Sequence, residues 1–400
     1  VGHCLGLMHN MGASSSYPVD SLRSASFTQK YGTTPSIMDY ARNNYIAQPG
    51  DKGLRLTPPN IGVYDFYAIK IGYQPIPEAK TAEEENAIVR GWIAEKAGDP
   101  MFRYGKQQLQ AVYDPSALME DLGDDAVKAG EYGIKNLKYI LEHVNEWMDK
   151  EDPNFDYRIN IYGEIVNQCF GYLYNALMNI GGFYLNEHEV NDPRPSFAVV
   201  PKEKQKQSLR FLIKNLQQLE WLDNPQVTEN LRVSSPRSER LVKNFAAALL
   251  VNTKKISLGE YRDPNSYSSQ EYLNDLHALV WEPTIKGKNL SAIDMLLQKT
   301  ILSSLLNSLL PVNWTVKRPP IAEKPMLRRT CSCGEHMASG FEFQYPVYNI
   351  AHDNTKYLYF SLLDRIEKTV KSKRATGNFN TRAHHAYLLE MIEDFRNRKE

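Results

Sequence analysis

The sequence predicts a mainly α protein with one small β-hairpin, on three observations. Apolar residues recur at helical spacing through the second half, as in Leu290, Ile293, Leu297, Ile301, Leu305 and Leu309. Thr81-Ala82-Glu83-Glu84 and Ser268-Ser269-Gln270-Glu271 are capping boxes, in which a hydroxyl and a glutamate satisfy the first amides of a helix. Strand-like sequence is concentrated near 183–200, where two short runs flank Asn191-Asp192-Pro193-Arg194-Pro195. A chain of 400 residues exceeds the usual single-domain range, so more than one domain is expected.

The first element is Val1-Gly2-His3-Cys4-Leu5-Gly6-Leu7-Met8-His9-Asn10. It fits the second half of the zinc-peptidase motif H-E-x-x-H-x-x-G-x-x-H, whose first two histidines share one helix face at i and i+4. His3 fits the second histidine. Gly6 suits the left-handed turn that ends a helix, because it has no Cβ to clash. That turn brings His9 back toward the same metal. Three neutral imidazoles leave a position open for water, which marks a catalytic rather than a structural zinc site. The bland reading of His3 and His9 is a pair of ordinary helix and loop histidines.

Downstream, Thr34-Pro35-Ser36-Ile37-Met38-Asp39-Tyr40 has the form of a Met-turn. Methionine suits the floor of a metal site, being unbranched and polarizable. A third element runs through Leu54-Arg55-Leu56-Thr57-Pro58-Pro59 to Tyr64-Asp65-Phe66-Tyr67-Ala68-Ile69-Lys70-Ile71-Gly72-Tyr73, with prolines where a helix starts and glycine near its end.

These three elements, in this order, resemble the metzincin metallopeptidases and most closely the bacterial Met-zincins. The Met-zincin pattern H-E-V-G-H-x-L-G-L-x-H-N is matched by Val1 to Asn10 from its third position onward, and Asn10 to Ser15, Pro18 to Arg23 and Met38 to Arg42 are also similar. The resemblance implies that residues 1–75 form the C-terminal, active-site segment of a metzincin-like catalytic domain. It implies Zn2+ as cofactor, His3 and His9 as metal ligands, and Gly6 and Met38 as structural residues of the site. Tyr40 is implied as a zinc ligand that swings away and then hydrogen-bonds the oxyanion. Asn10 and Asp39 are candidates for orienting an imidazole through its other nitrogen. The pattern places the first histidine and the glutamate base four and three residues before His3, ahead of Val1. The expectation is therefore a piece of a longer peptidase that is inactive by itself and binds zinc weakly. Its expected partners are a peptide or protein substrate and the N-terminal part of the same chain. The resemblance also implies export to the periplasm, cell surface or medium of a bacterium.

A helical domain is expected over 76–310, with helices from Thr81 to about Ala97, from Gly123 to about Lys150 and over 157–180, the last ended by Gly181-Gly182. Glu120, Asp121, Asp124 and Asp125 read as charges on a helix N-terminus rather than a calcium site. The hairpin pairs Phe183–Val190 with Ser196–Val200, and His188 between Glu187 and Glu189 reads as a solvated edge. Helices follow from Pro201, from Ser235-Pro236, from Ser268 and over the 290–309 stripe. Residues 311–400 form a Pro-rich, basic linker, Pro311 to Arg329, and two final helices near Val347–Lys373 and Thr381–Arg398. Adjacent His384 and His385 point in different directions and read as solvated.

The 47 basic and 47 acidic residues cancel, so no global field recruits nucleic acid or an anionic membrane. No apolar run reaches about 18 residues, and the best candidate, Leu290 to Leu310, is interrupted by Asp294, Gln298, Lys299 and Asn307, so no transmembrane helix is expected. Four cysteines make no disulfide framework. Cys4 and Cys169 read as buried free thiols, and Cys331-Ser332-Cys333-Gly334-Glu335-His336 as a polar loop lacking a fourth metal ligand. More than 300 residues carry no catalytic signature, which leaves a second reading open: a helical binding or scaffolding module attached to a degenerate peptidase remnant.

Overall fold

The structure, a computed structural model, describes all residues except 42, 58–59, 109–111, 149–151, 188–191, 193, 232, 311–354 and 399–400. His188, the Pro311–Arg329 linker and the Cys331–His336 motif lie outside the described residues. The chain divides into two compact units, one of residues 1–140 and 171–200, the other of residues 141–170 and 201–400.

The first unit opens with a 3-10 turn, His3–Leu5, which Gly6 terminates in the left-handed conformation at φ 74°. That is the turn for which a glycine is needed. Helix α1 (Ala25–Tyr31) is capped by Ser24, whose hydroxyl accepts the Phe27 amide at 3.3 Å. Helix α2 (Val63–Tyr73) starts at Gly62, and Asp65 reaches back to accept the Gly62 amide at 2.7 Å. In α3 (Ala82–Glu95) the Thr81 hydroxyl accepts the Glu84 amide, while the Glu84 carboxylate accepts the Lys80 amide. Helices α4 (Ala126–Met148) and α5 (Asp156–Asn179) contribute residues to both units. The hairpin is antiparallel, with β1 (Phe183–Leu185) on β2 (Phe197–Val199) in the register Phe183 to Val199 and Leu185 to Phe197. A core of Tyr17, Val19, Leu22, Ala41, Ile46, Leu122 and Ala129 gathers the loops around α1 onto the start of α4.

Beyond its shares of α4 and α5, the second unit's described α-helices are α6 (Lys202–Leu216), α7 (Pro225–Thr228), α8 (Arg237–Val251), α9 (Thr253–Arg262), α10 (Ser269–Val280), α11 (Glu282–Ile285), α12 (Ala292–Leu309), α13 (Thr355–Lys373) and α14 (Phe379–Asn397), and it holds no described strand. Capping boxes open α10, through Ser268 and Glu271, and α12, through Ser291 and Asp294. Leu297, Ile301 and Leu305 of the α12 stripe are fully buried, packed among α8, α13 and α14. This architecture is mainly α with a small hairpin, as the sequence predicts.

Three readings are corrected. His384 and His385 are buried, not solvated, because α12 and α13 both pack on α14 and cover two of its faces. The His384 Nε2 lies 3.3 Å from Gln298 Oε1, and the His385 Nδ1 3.1 Å from the Lys373 carbonyl oxygen. Cys4 is exposed, because its short surface turn buries none of its residues; Cys169 is buried as expected. The acidic cluster divides its tasks: Asp125 caps α4 by accepting the Val127 and Lys128 amides, and Asp124 accepts the Val19 amide. Asp121 is buried against Ser14. Among the described residues no helix is long and apolar enough to cross a membrane.

Candidate metal centre

The turn at Gly6 brings His3 and His9 face to face. Their Nε2 atoms stand 3.0 Å apart and their rings meet edge-on, with centroids 4.5 Å apart. Each Nδ1 has a carbonyl-type oxygen opposite: Leu7 O at 2.9 Å for His3, and Gln107 Oε1 at 3.0 Å for His9. A carbonyl oxygen only accepts, so in this arrangement each Nδ1 donates, and neutral rings then leave a lone pair on each Nε2. Two lone pairs aimed at each other repel unless a cation lies between them. Their separation is close to the ~3.3 Å expected for two imidazole nitrogens on a tetrahedral zinc with Zn–N of ~2.0–2.1 Å. The donor set therefore fits zinc. Among the described residues no group of three or more His, Cys, Asp or Glu side chains is placed to hold a metal.

Met38 lies under the histidine turn, since a β-carbon built on Gly2 would stand 2.3 Å from its sulfur. The Tyr40 ring packs against His9 with centroids 4.6 Å apart and planes inclined by 51°. Helix α2 closes the far side, where the Tyr73 hydroxyl donates to the Leu5 carbonyl at 2.9 Å. The three sequence elements separated along residues 1–75 thus meet around one pair of imidazoles.

A family model described as Met-zincin matches residues 1–288. The chain belongs to the Met-zincin family. No curated protein and no solved structure matches it. As a Met-zincin it carries a zinc metallopeptidase-like domain, and zinc is the cofactor that the family implies.

The Met-zincin turn is held by a buried acid on α2. Asp65 Oδ1 accepts the Ser36 hydroxyl at 2.7 Å, and Oδ2 accepts the amides of Ile37 at 3.0 Å and Gly62 at 2.7 Å. The Ser36 Oγ in turn accepts the Met38 amide at 3.0 Å, and the Met38 carbonyl accepts the Asn10 amide at 3.0 Å. This chain of bonds joins the closing helix, the Met-turn and the residue after His9.

Asn10 and Asp39 hold backbone in the contacts described, while the acceptors on the imidazoles are Leu7 and Gln107. The Asn10 side chain donates to the Arg103 carbonyl and accepts the amides of Gly105 and Gly12. Asp39 accepts the Ser14 amide at 2.6 Å, and the Ser14 hydroxyl donates to Asp121 at 3.1 Å. Burial pushes both carboxyls above the usual carboxylate range, and the neighbouring Asp39 charge adds to the rise at Asp121.

Gln107 carries no sequence signal as a site residue, and Asp121 reads in sequence only as one charge of an acidic cluster. Gln107 lies 98 positions from His9, and only the tertiary closure of the chain brings them together.

Proposed function

We propose that this Met-zincin chain contributes the lower half of a zinc peptidase centre, in which His3 and His9 would hold the metal through Nε2. The single observation that carries the reading is the facing pair of Nε2 atoms, 3.0 Å apart, with each Nδ1 at hydrogen-bond distance from an oxygen. When bound, zinc supplies Lewis acidity to a peptide carbonyl and lowers the pKa of water. The protein's own share is positional. Gly6 folds the two histidines together, and Met38 supports them from below. Tyr40, packed on His9, donates a hydrogen bond to the oxyanion of a peptide or protein substrate. The family pattern assigns the third histidine and the glutamate base to positions four and three before His3. An extracytoplasmic location goes with this reading through the family resemblance.

The test is peptide hydrolysis by a protein that carries the family's His-Glu pair ahead of Val1. Hydrolysis should require zinc, stop with chelator and be lost in His9→Ala. Undiminished hydrolysis in His9→Ala would contradict the assignment.

A further inference from the structure

His3 and His9 differ in what keeps the ring proton on the side away from the metal. For His3 the answer is backbone: the Leu7 carbonyl can only accept, which fixes the proton on Nδ1. For His9 the partner is a side-chain amide, and an amide has both an accepting and a donating end. If the donating end faced His9, its Nδ1 would become an acceptor and the proton would move to Nε2. That Nε2–H would then donate to the His3 Nε2 lone pair 3.0 Å away. The two imidazoles would satisfy each other, and neither lone pair would remain shared toward a metal.

We propose that Gln107 is the positioning residue of this centre, its amide orientation selecting the metal-ready tautomer of His9 over a tautomer hydrogen-bonded to His3. The inference rests on the zinc reading of the two histidines. Two contacts support the orientation found. The Gln107 Oε1 sits 3.0 Å from His9 Nδ1, while its Nε2 is turned to the Met119 sulfur at 3.9 Å. The segment that carries Gln107 is bound to the His9–Met11 segment along its length. The Met11 amide donates to the Gly105 carbonyl at 2.7 Å, the Gly105 amide donates to Asn10 Oδ1 at 2.8 Å, and the Asn10 amide group donates to the Arg103 carbonyl at 2.9 Å.

The approach is close because glycine faces glycine. A β-carbon on Gly105 would stand 2.7 Å from the Gly12 Cα, and one on Gly12 3.0 Å from the Gly105 Cα. Arg103 anchors the start of the segment, with its guanidinium on Asp114 at 2.5 Å and on the Ser116 hydroxyl at 2.7 Å. Gln107 is therefore delivered to His9 by a braced segment.

The test compares three forms of this 400-residue chain: wild type, Gln107→Glu and Gln107→Met. Glutamate only accepts and should keep the proton on His9 Nδ1. Methionine offers no oxygen and should shift the proton to Nε2. The first readout is the 15N chemical-shift pattern of the His9 ring in metal-free protein, assigned with His9→Asn; the second is Zn2+ affinity by calorimetry.

The expected result is an Nδ1–H tautomer in wild type and Gln107→Glu, and an Nε2–H tautomer in Gln107→Met. Zinc affinity should fall about 10- to 100-fold in the methionine variant alone. A methionine variant with the wild-type tautomer and zinc affinity would overturn the proposal, as would a glutamate variant that fails to preserve the tautomer. Zinc binding absent from wild type would defeat the metal reading, whereas the tautomer pattern judges Gln107 on its own. Circular dichroism confirms that both variants fold, so that a loss is not read from an unfolded chain.

Discussion

The Ser36 hydroxyl donates to Asp65 at 2.7 Å while accepting the Met38 amide at 3.0 Å, so one buried serine ties the Met-turn to helix α2. Asp65 is only 3 % exposed and accepts three hydrogen bonds, from Ser36, Ile37 and Gly62. Replacing it with alanine leaves the buried Ser36 hydroxyl and two part-buried amides without their acceptor. Asp65→Ala is expected to cost about 3 kcal/mol or more, since hydrogen bonds to charged groups contribute ~1.5–3 kcal/mol each and do not add fully. Urea denaturation of the folded chain measures it, and a loss below about 1 kcal/mol would count against this role.

Gly62 has a steric task at the same junction. A β-carbon there would lie 1.9 Å from the Pro35 carbonyl oxygen, a backbone atom that cannot move aside without shifting the Met-turn. Its backbone is ordinary extended, so the requirement is space rather than conformation. Gly62→Ala should destabilise by roughly 1–3 kcal/mol, the usual cost of overpacking, and lower zinc affinity along with it. Equal stability of variant and wild type in urea would show that the turn yields freely.

The predicted helices were legible because their signals are local. The capping box at Ser268, the Thr81 hydroxyl cap and the α12 stripe each act within a few residues, and the hairpin was marked by its Pro-rich loop. The site was half legible for the same reason: His3, Gly6, His9, Met38 and Tyr40 lie in two short motifs. Gln107, Asp121 and the covering of His384 depend on segments about a hundred residues apart meeting in space, and no periodicity encodes that. Helix α9 is not legible because it follows α8 across Asn252 alone, which keeps helical dihedrals and makes no side-chain cap, and its apolar positions are sparse.

The buried histidines of the second unit set a pH dependence. Burial lowers the His384 pKa to about 4, and the nearby His385 and Lys299 charges push the same way. Burial also lowers His277 to about 4, with Arg365 adding to it. An unfolded histidine takes a proton near pH 6.5, while the folded ones resist to about pH 4, so between these values the unfolded state binds more protons. Stability is therefore full above about pH 6.5 and falls as the pH drops toward 4. In His384→Gln, which keeps a donor for Gln298, the urea midpoint should fall less steeply over that range. A pH slope identical to wild type would contradict the assignment.

Tyr40 packs on His9 without belonging to the facing nitrogen pair. In a protein that carries the family's His-Glu pair, Tyr40→Phe should lower kcat about 100- to 1,000-fold with little change in KM, the signature of a hydrogen bond made only in the transition state. A change confined to KM would place Tyr40 in substrate binding instead.

In the proposed centre the facing Nε2 atoms of His3 and His9 share one metal. Titrating this chain with Zn2+ while following the 15N resonances of both rings reads that sharing out. The two Nε2 signals should shift together at a single saturation point, and His9→Ala should abolish the shift at His3. Zinc that leaves both Nε2 signals unmoved, or moves one without the other, would contradict that sharing.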